Sequence, residues 1–288
     1  MDATLHLIAQ VGILAGVFVG VLAVGTSVEI GQVLASLRDV RTLALALLAN
    51  FVAVPLLALG LAWVLPLTTE ARTALILLGA VAGAPFLPKL AALSSGHVPF
   101  SIGLMVLLMV VTVGYAPLVL PLLLRDVTVS SWDIARSLLV VMLLPLGIGL
   151  LARWRYPRLA DWSHELNRVS SAGMAIGLTA GLLVDWQHLL ATIGSWILVG
   201  SALLALGAIA IGWLFAAQVP TERRRVAALA TAMRNFPAAL LVAGRDLGPE
   251  ALVMTMAATI VLSVVLVVTA GEMGRTRVTG SQGVGASG

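Results

Sequence analysis

Two basic residues, Lys89 and Arg234, stand inside long apolar stretches of this chain. If those stretches cross a bilayer, each cation costs about 2.5–3.5 kcal/mol on insertion scales. Snorkelling relieves that cost only near span ends. No Asp or Glu lies centrally enough to pair with either; Glu29, Asp133, Asp185 and Glu250 all fall near the ends of stretches. The two cations must therefore face a cavity, exposed backbone carbonyls or a bound anion. Nearby polar side chains are Asn50, Ser101, Thr112 and Asn235. For Ser101 and Thr112 the competing role is back-bonding to their own helix, and for Asn50 it is helix–helix adhesion.

Both cations lie beside interruptions. Residues 83–89 read GAPFLPK and 233–239 read MRNFPAA. Proline removes a helical hydrogen bond and clashes with the preceding turn, so Gly83, Pro85 and Pro88 should break one helix and Pro237 another. Proline suits the first turn of a new helix, so second half-helices are expected near Pro88 and Pro237. Their N-termini would each add about half a positive charge. The backbone freed by such breaks survives in hydrocarbon only where protein or a polar cavity satisfies it.

The elements that must position these residues follow from composition. The 288 residues are 60% hydrophobic and 10% charged, with a mean hydropathy of +1.07; a soluble domain carries about 25% charged residues. Stretches at 5–26, 42–65, 72–94, 99–124, 132–152, 166–184, 190–217, 226–244 and 249–270 are each long enough to span a bilayer. The expectation is an all-α polytopic membrane protein of nine helices, one transmembrane domain over 1–276, with a disordered tail at 277–288. The first stretch lacks the basic flank of a secretory signal and reads as a retained helix.

The breaks lie five spans apart, an odd number, so two copies of one repeat would have opposite orientations. Stretches five to nine form a five-helix repeat broken in its fourth member. Stretches one to four form the same repeat without its first helix, giving pseudo-repeats 1–124 and 132–270. Paired breaks at corresponding positions point to the binding site of inverted-repeat transporters.

Of the 17 basic residues, Arg72, Arg125, Arg136 and Arg245 fall on the N-terminal side. Eleven fall on the other: Arg38, Arg41, the four between Arg153 and Arg168, Arg223 to Arg225, Arg275 and Arg277. Cytoplasmic loops are rich in Lys and Arg, which places the N-terminus outside and the C-terminus in the cytoplasm of an inner membrane. No basic patch with interleaved aromatics suggests nucleic acid. Cysteine is absent, excluding thiolate metal sites. His6, His97, His164 and His188 sit near span ends and form no catalytic cluster, so no enzyme is expected. Trp132, Trp154, Trp162, Trp186, Trp196 and Trp213 read as interfacial anchors or packing.

Four segments resemble the bile acid:sodium symporter superfamily: VGTSVEIGQVLASLRDVRTL at 24–43, ANFVAVPLLAL at 49–59, the first break followed by LAALSSGH at 90–97, and ATAMRNFPAALLVA at 230–243. The resemblance implies crossed broken helices between a core and a panel, with the nine-helix count resembling members that lack the first helix. The sodium sites carry over poorly. Where the family shows Glu-x-x-x-Gln-Asn, this chain has Ala230, Arg234 and Asn235, and a Ser-Asn pair is replaced by Leu87-Pro88. A family Gln is similar to Asn50 here and a family Ser to Ser101. The implied function is secondary transport of a small organic anion at the crossing of the third and eighth spans, with Lys89 and Arg234 standing where sodium would stand. Coupling would be absent, by exchange, or by protons through Lys89. Monocarboxylates, sulfonates and steroid-like anions all fit. A sodium-coupled symporter, an anion channel and a membrane sensor are the alternatives. No cofactor is expected besides sodium itself, and the protein would be a monomer or homodimer in the bilayer.

Overall fold

A computed structural model describes residues 2–29, 31, 39–124, 130–192 and 194–282. Arg38, Arg125 and residues 283–288 lie outside it, as do the side chains of His6, Asp185, Trp186, His188 and Arg277. Outside its connections and the two breaks, the described chain is helical. In order the elements are α1 Asp2–Ser27, α2 Val40–Val64, α3 Thr69–Ala80, α4 Leu87–Leu93, α5 Val98–Leu123, α6 Ser131–Arg155, α7 Ser163–Ala191, α8 Trp196–Phe215, α9 Thr221–Ala232, α10 Phe236–Val242 and α11 Pro249–Gln282.

Six of these, α1, α2, α5, α6, α8 and α11, are long and apolar enough to cross a membrane. Of the three other expected crossings, the sixth lies within the 29-residue α7, and the third and eighth differ for a physical reason. The third and eighth are each split: α3 has 12 residues and α4 has 7, and α9 has 12 and α10 has 7. At 1.5 Å per residue, none of these pieces alone spans a core about 30 Å thick. The seventh stretch starts later than expected, because α7 continues to Ala191 and α8 begins at Trp196. At the C-terminus α11 runs on to Gln282, so helix covers 277–282, the first half of the tail expected to be disordered.

Two groups of helices form. In the first, α1 lies against α6 and α7. Glycine permits the approach: a Cβ on Gly12 would stand 2.8 Å from the Gly177 Cα, and one on Gly25 would stand 2.9 Å from the Gly149 Cα. Such small-residue contacts let spanning helices pack backbone to backbone. The second group joins α2, α3, α5, α8, α9 and α11 around a core that includes Leu75, Leu78, Leu104, Leu108, Leu204 and Leu262. The groups meet where α5 and α10 touch α6, where α10 touches α1 and where α7 touches α11.

The helix ends segregate the charges. At one end Arg153 pairs with Glu29 at 3.0 Å and Arg223 with Asp39 at 3.6 Å. Asp39 also caps α2 through Thr42, whose hydrogen bonds hold the carboxyl below its ordinary range. At the opposite end Arg245 donates to the Ser137 Oγ at 3.2 Å. One arginine departs from the loop role expected of it. Arg225 is buried and donates to the Ser94 carbonyl at 2.9 Å, fastening the end of α4 to α9.

Candidate functional site

The site is built from the backbone that the two interruptions leave unpaired. After α3 ends at Ala80 the chain runs through Val81–Phe86 before α4 begins; after α9 ends at Ala232 only Met233–Asn235 intervene before α10. Pro88 and Pro237 occupy the first turns of the second half-helices. The two extended pieces touch, with Ala82 and Arg234 paired as an antiparallel bridge and the Asn235 N–H donating to the Val81 carbonyl at 3.1 Å.

Gly83 has φ of +79°, a conformation open to glycine. A side chain there would also run into the Met109 backbone nitrogen and stand 2.7 Å from the Leu108 carbonyl carbon. So the first break presses against α5 backbone to backbone. Thr112, also on α5, receives the Ala82 N–H at 3.1 Å and donates its hydroxyl to the Ala82 carbonyl at 2.9 Å. One side chain thereby satisfies both polar groups of a residue that has left its helix. The expected alternative for Thr112, back-bonding within α5, does not occur. Ser101 does the reverse: its hydroxyl donates to Val98 of its own helix at 2.6 Å.

Arg234 is fully buried. Its Nε donates to the Leu78 carbonyl at 2.8 Å. Its Nη1 donates to the Asn50 Oδ1 at 3.1 Å and the Thr231 carbonyl at 3.0 Å. Its Nη2 donates to the Gly79 carbonyl at 2.6 Å and, at 3.5 Å, to the Asn50 carbonyl. A guanidinium has five N–H donors, and all five are used. Leu78 and Gly79 lie in the last turn of α3 and Thr231 in the last turn of α9, so the cation also meets the negative ends of two helices. Each hydrogen bond to a charged group contributes about 1.5–3 kcal/mol, enough together to offset the cost of burial.

Asn50 reaches this cage because α2 is loosened at that level. A π-helical turn spans Ala49–Ala53, and Pro55 follows it. Proline supplies no N–H to the carbonyl four residues back, here that of Phe51, and the Tyr115 hydroxyl donates to that carbonyl at 2.7 Å instead. The Asn50 amide donates to Ala46 at 2.9 Å and to the Thr231 hydroxyl at 3.4 Å. Asn235 caps α10, accepting the Ala238 N–H at 3.1 Å. Its amide donates to the Gly83 carbonyl at 2.8 Å and contacts the Met142 sulfur of α6 at 3.6 Å.

Lys89 is not in this assembly. It is exposed on α4, its ammonium 4.6 Å from the centre of the Phe86 ring. The expected meeting of two buried cations is therefore corrected to one. Lys89 sits two residues inside α4 and escapes along that short helix, whereas Arg234 sits in the break itself. The structure thus brings together Arg234, Asn235, Asn50, Thr112 and Gly83, and leaves out Lys89 and Ser101. Thr231, Tyr115 and Met142 join the site unannounced. Tyr115 had a readable signal: Pro55 orphans a carbonyl in apolar surroundings, and the chain has only two tyrosines.

Apolar spanning helices enclosing a polar, buried crossing define a multi-pass membrane protein. The chain belongs to the sodium bile acid symporter family, whose model matches residues 14–187. The match takes in the first break and ends before the second. No curated protein matches the chain.

Proposed function

We propose that this protein is a secondary transporter of a small organic anion that works without sodium. It crosses the inner membrane nine times, with the N-terminus outside, and alternates access at the crossing of the α3–α4 and α9–α10 spans. The observation that carries this reading is the Arg234 cage. Five protein acceptors converge on one guanidinium, at the position where the family pattern has Gln and where its Glu is Ala230 here. Arginine keeps its charge when buried far more firmly than lysine does. Among the described residues every hydrogen bond of the Arg234 guanidinium goes to a carbonyl or amide oxygen and none to a carboxylate, so the crossing holds an unneutralised positive charge. That field favours an anion and repels sodium.

Arg234 has no N–H left to offer a substrate in this conformation. Its role is that of a fixed internal cation that holds both breaks and sets the local field. Coupling through Lys89 loses its basis, because Lys89 lies outside the crossing. The test is uptake by proteoliposomes of a monocarboxylate, a sulfonate and a steroid-like anion, with sodium or choline as the external cation. Saturable uptake of at least one anion, unchanged by the exchange of cation, is expected. Strict sodium dependence overturns the reading, and flux that does not saturate favours a channel.

A further inference from the structure

The seam between the two helix groups has a second polar cluster, away from the crossing. After α10 the chain makes a π-helical turn, Ala243–Leu247, and ends it at Gly248 with φ of +93°. Arg245 in this turn donates to the buried Ser137 of α6 at 3.2 Å. The contact therefore joins the element carrying the second break to the opposing helix group. Asp246 follows. Its Oδ2 is buried with no hydrogen-bond partner.

A carboxylate oxygen that is shielded from water and unbonded disfavours the charged form. The charged groups on the turn and on the element ends beside it are Arg245, Asp133 at the start of α6, Glu70 at the start of α3 and Glu250 at the start of α11. Burial raises the Asp246 carboxyl above its ordinary range; Arg245 opposes that and Asp133 adds to it. A cavity of about 140 Å³, lined in part by Thr69, Glu70, Leu247, Gly248 and Glu250, opens next to the turn. Water can bring a proton to the turn from that face.

We propose that Asp246 is a proton-binding site whose occupancy is tied to the contact between the α10 turn and α6: protonated while the seam is closed, released when it opens. The proposal rests on the alternating-access reading and supplies the co-ion that the Arg234 cage denies to sodium. The sign follows from linkage. A carboxyl that binds its proton more tightly in the closed state stabilises that state at low pH, and the stabilisation is lost as pH rises through the raised value. The window begins at the ordinary value of 3.8 and extends upward.

The chain has no cysteine, so Ser137→Cys gives one near-isosteric reporter thiol on the α6 side of the seam. Its maleimide labelling rate in detergent is followed from about pH 4 to about pH 7, alone and combined with Asp246→Asn. The ratio of the two rates cancels the ionisation of the thiol itself. That ratio should climb with pH, about tenfold for each unit separating the closed and open values. Asp246→Glu should retain the climb, and Asp246→Ser replaces Asp246→Asn if the latter does not fold. A flat or falling ratio overturns the proposal while leaving sodium-free anion transport intact, because labelling needs no substrate. A climbing ratio with no anion uptake sinks the transport reading and still supports the proton site.

Discussion

The two interruptions look alike in the sequence, each a proline-bearing segment with one cation, yet they work in opposite ways. The first, Val81–Phe86, is longer and supplies acceptors: carbonyls of its residues and of the α3 turn before it turn inward, and its cation Lys89 lies on the outside. The second, Met233–Asn235, is short and supplies donors: Arg234 and Asn235 reach back into those carbonyls. A break in hydrocarbon must have every backbone group met, and here each break answers the other. The lesson concerns register. Arg234 stands opposite Ala82, so the cation that matters is the one in the break itself, and a cation two residues into the following helix is free to leave.

This asymmetry can be broken in graded ways. Replacing Arg234 by Met strands five acceptors in an apolar interior and should cost the most, more than the roughly 1–3 kcal/mol of one unsatisfied buried group, read as a collapse of the thermal unfolding transition in detergent. Arg234→Lys keeps the charge but has three donors instead of five and should fall between wild type and Arg234→Met. Next comes Gly83→Ala, which meets both the positive φ and the α5 backbone. A loss of about 1–3 kcal/mol is expected. Tyr115→Phe orphans the Phe51 carbonyl and should cost about 1–3 kcal/mol by the same assay. Smallest is Lys89→Gln, expected within about 0.5 kcal/mol of wild type, as for an exposed side chain. If Lys89→Gln destabilises as much as Arg234→Met, the contrast between the breaks is wrong.

Much of this was legible in the residues. Hydropathy located the six helices long and apolar enough to cross a membrane, and proline chemistry located both interruptions, with second half-helices starting at Leu87 and Phe236. The sequence also showed that Arg234 had no carboxylate partner and had to meet carbonyls, a cavity or an anion; the structure selects carbonyls. What was hidden depended on direction. Lys89 and Arg234 both lie inside their stretches beside a break, and only the three-dimensional path of each break tells which side chain points inward. Thr112 was legible as a candidate but its role was hidden for a similar reason, since a threonine in a spanning helix has a carbonyl of its own within reach. Asp246 was hidden because its burial comes from the way the turn folds back between α10 and α11, which leaves no mark on local hydropathy.

The central claim is that the Arg234 guanidinium permanently fills the place that a coupling sodium would take. The most direct measurement is thermal stability in detergent titrated with sodium chloride against choline chloride, for the wild type and for Ala230→Glu/Arg234→Gln, which rebuilds the Glu-x-x-x-Gln-Asn pattern. The account expects identical curves for the wild type in the two salts, and a stabilisation specific to sodium in the double variant. Stabilisation of the wild-type protein by sodium over choline would contradict it.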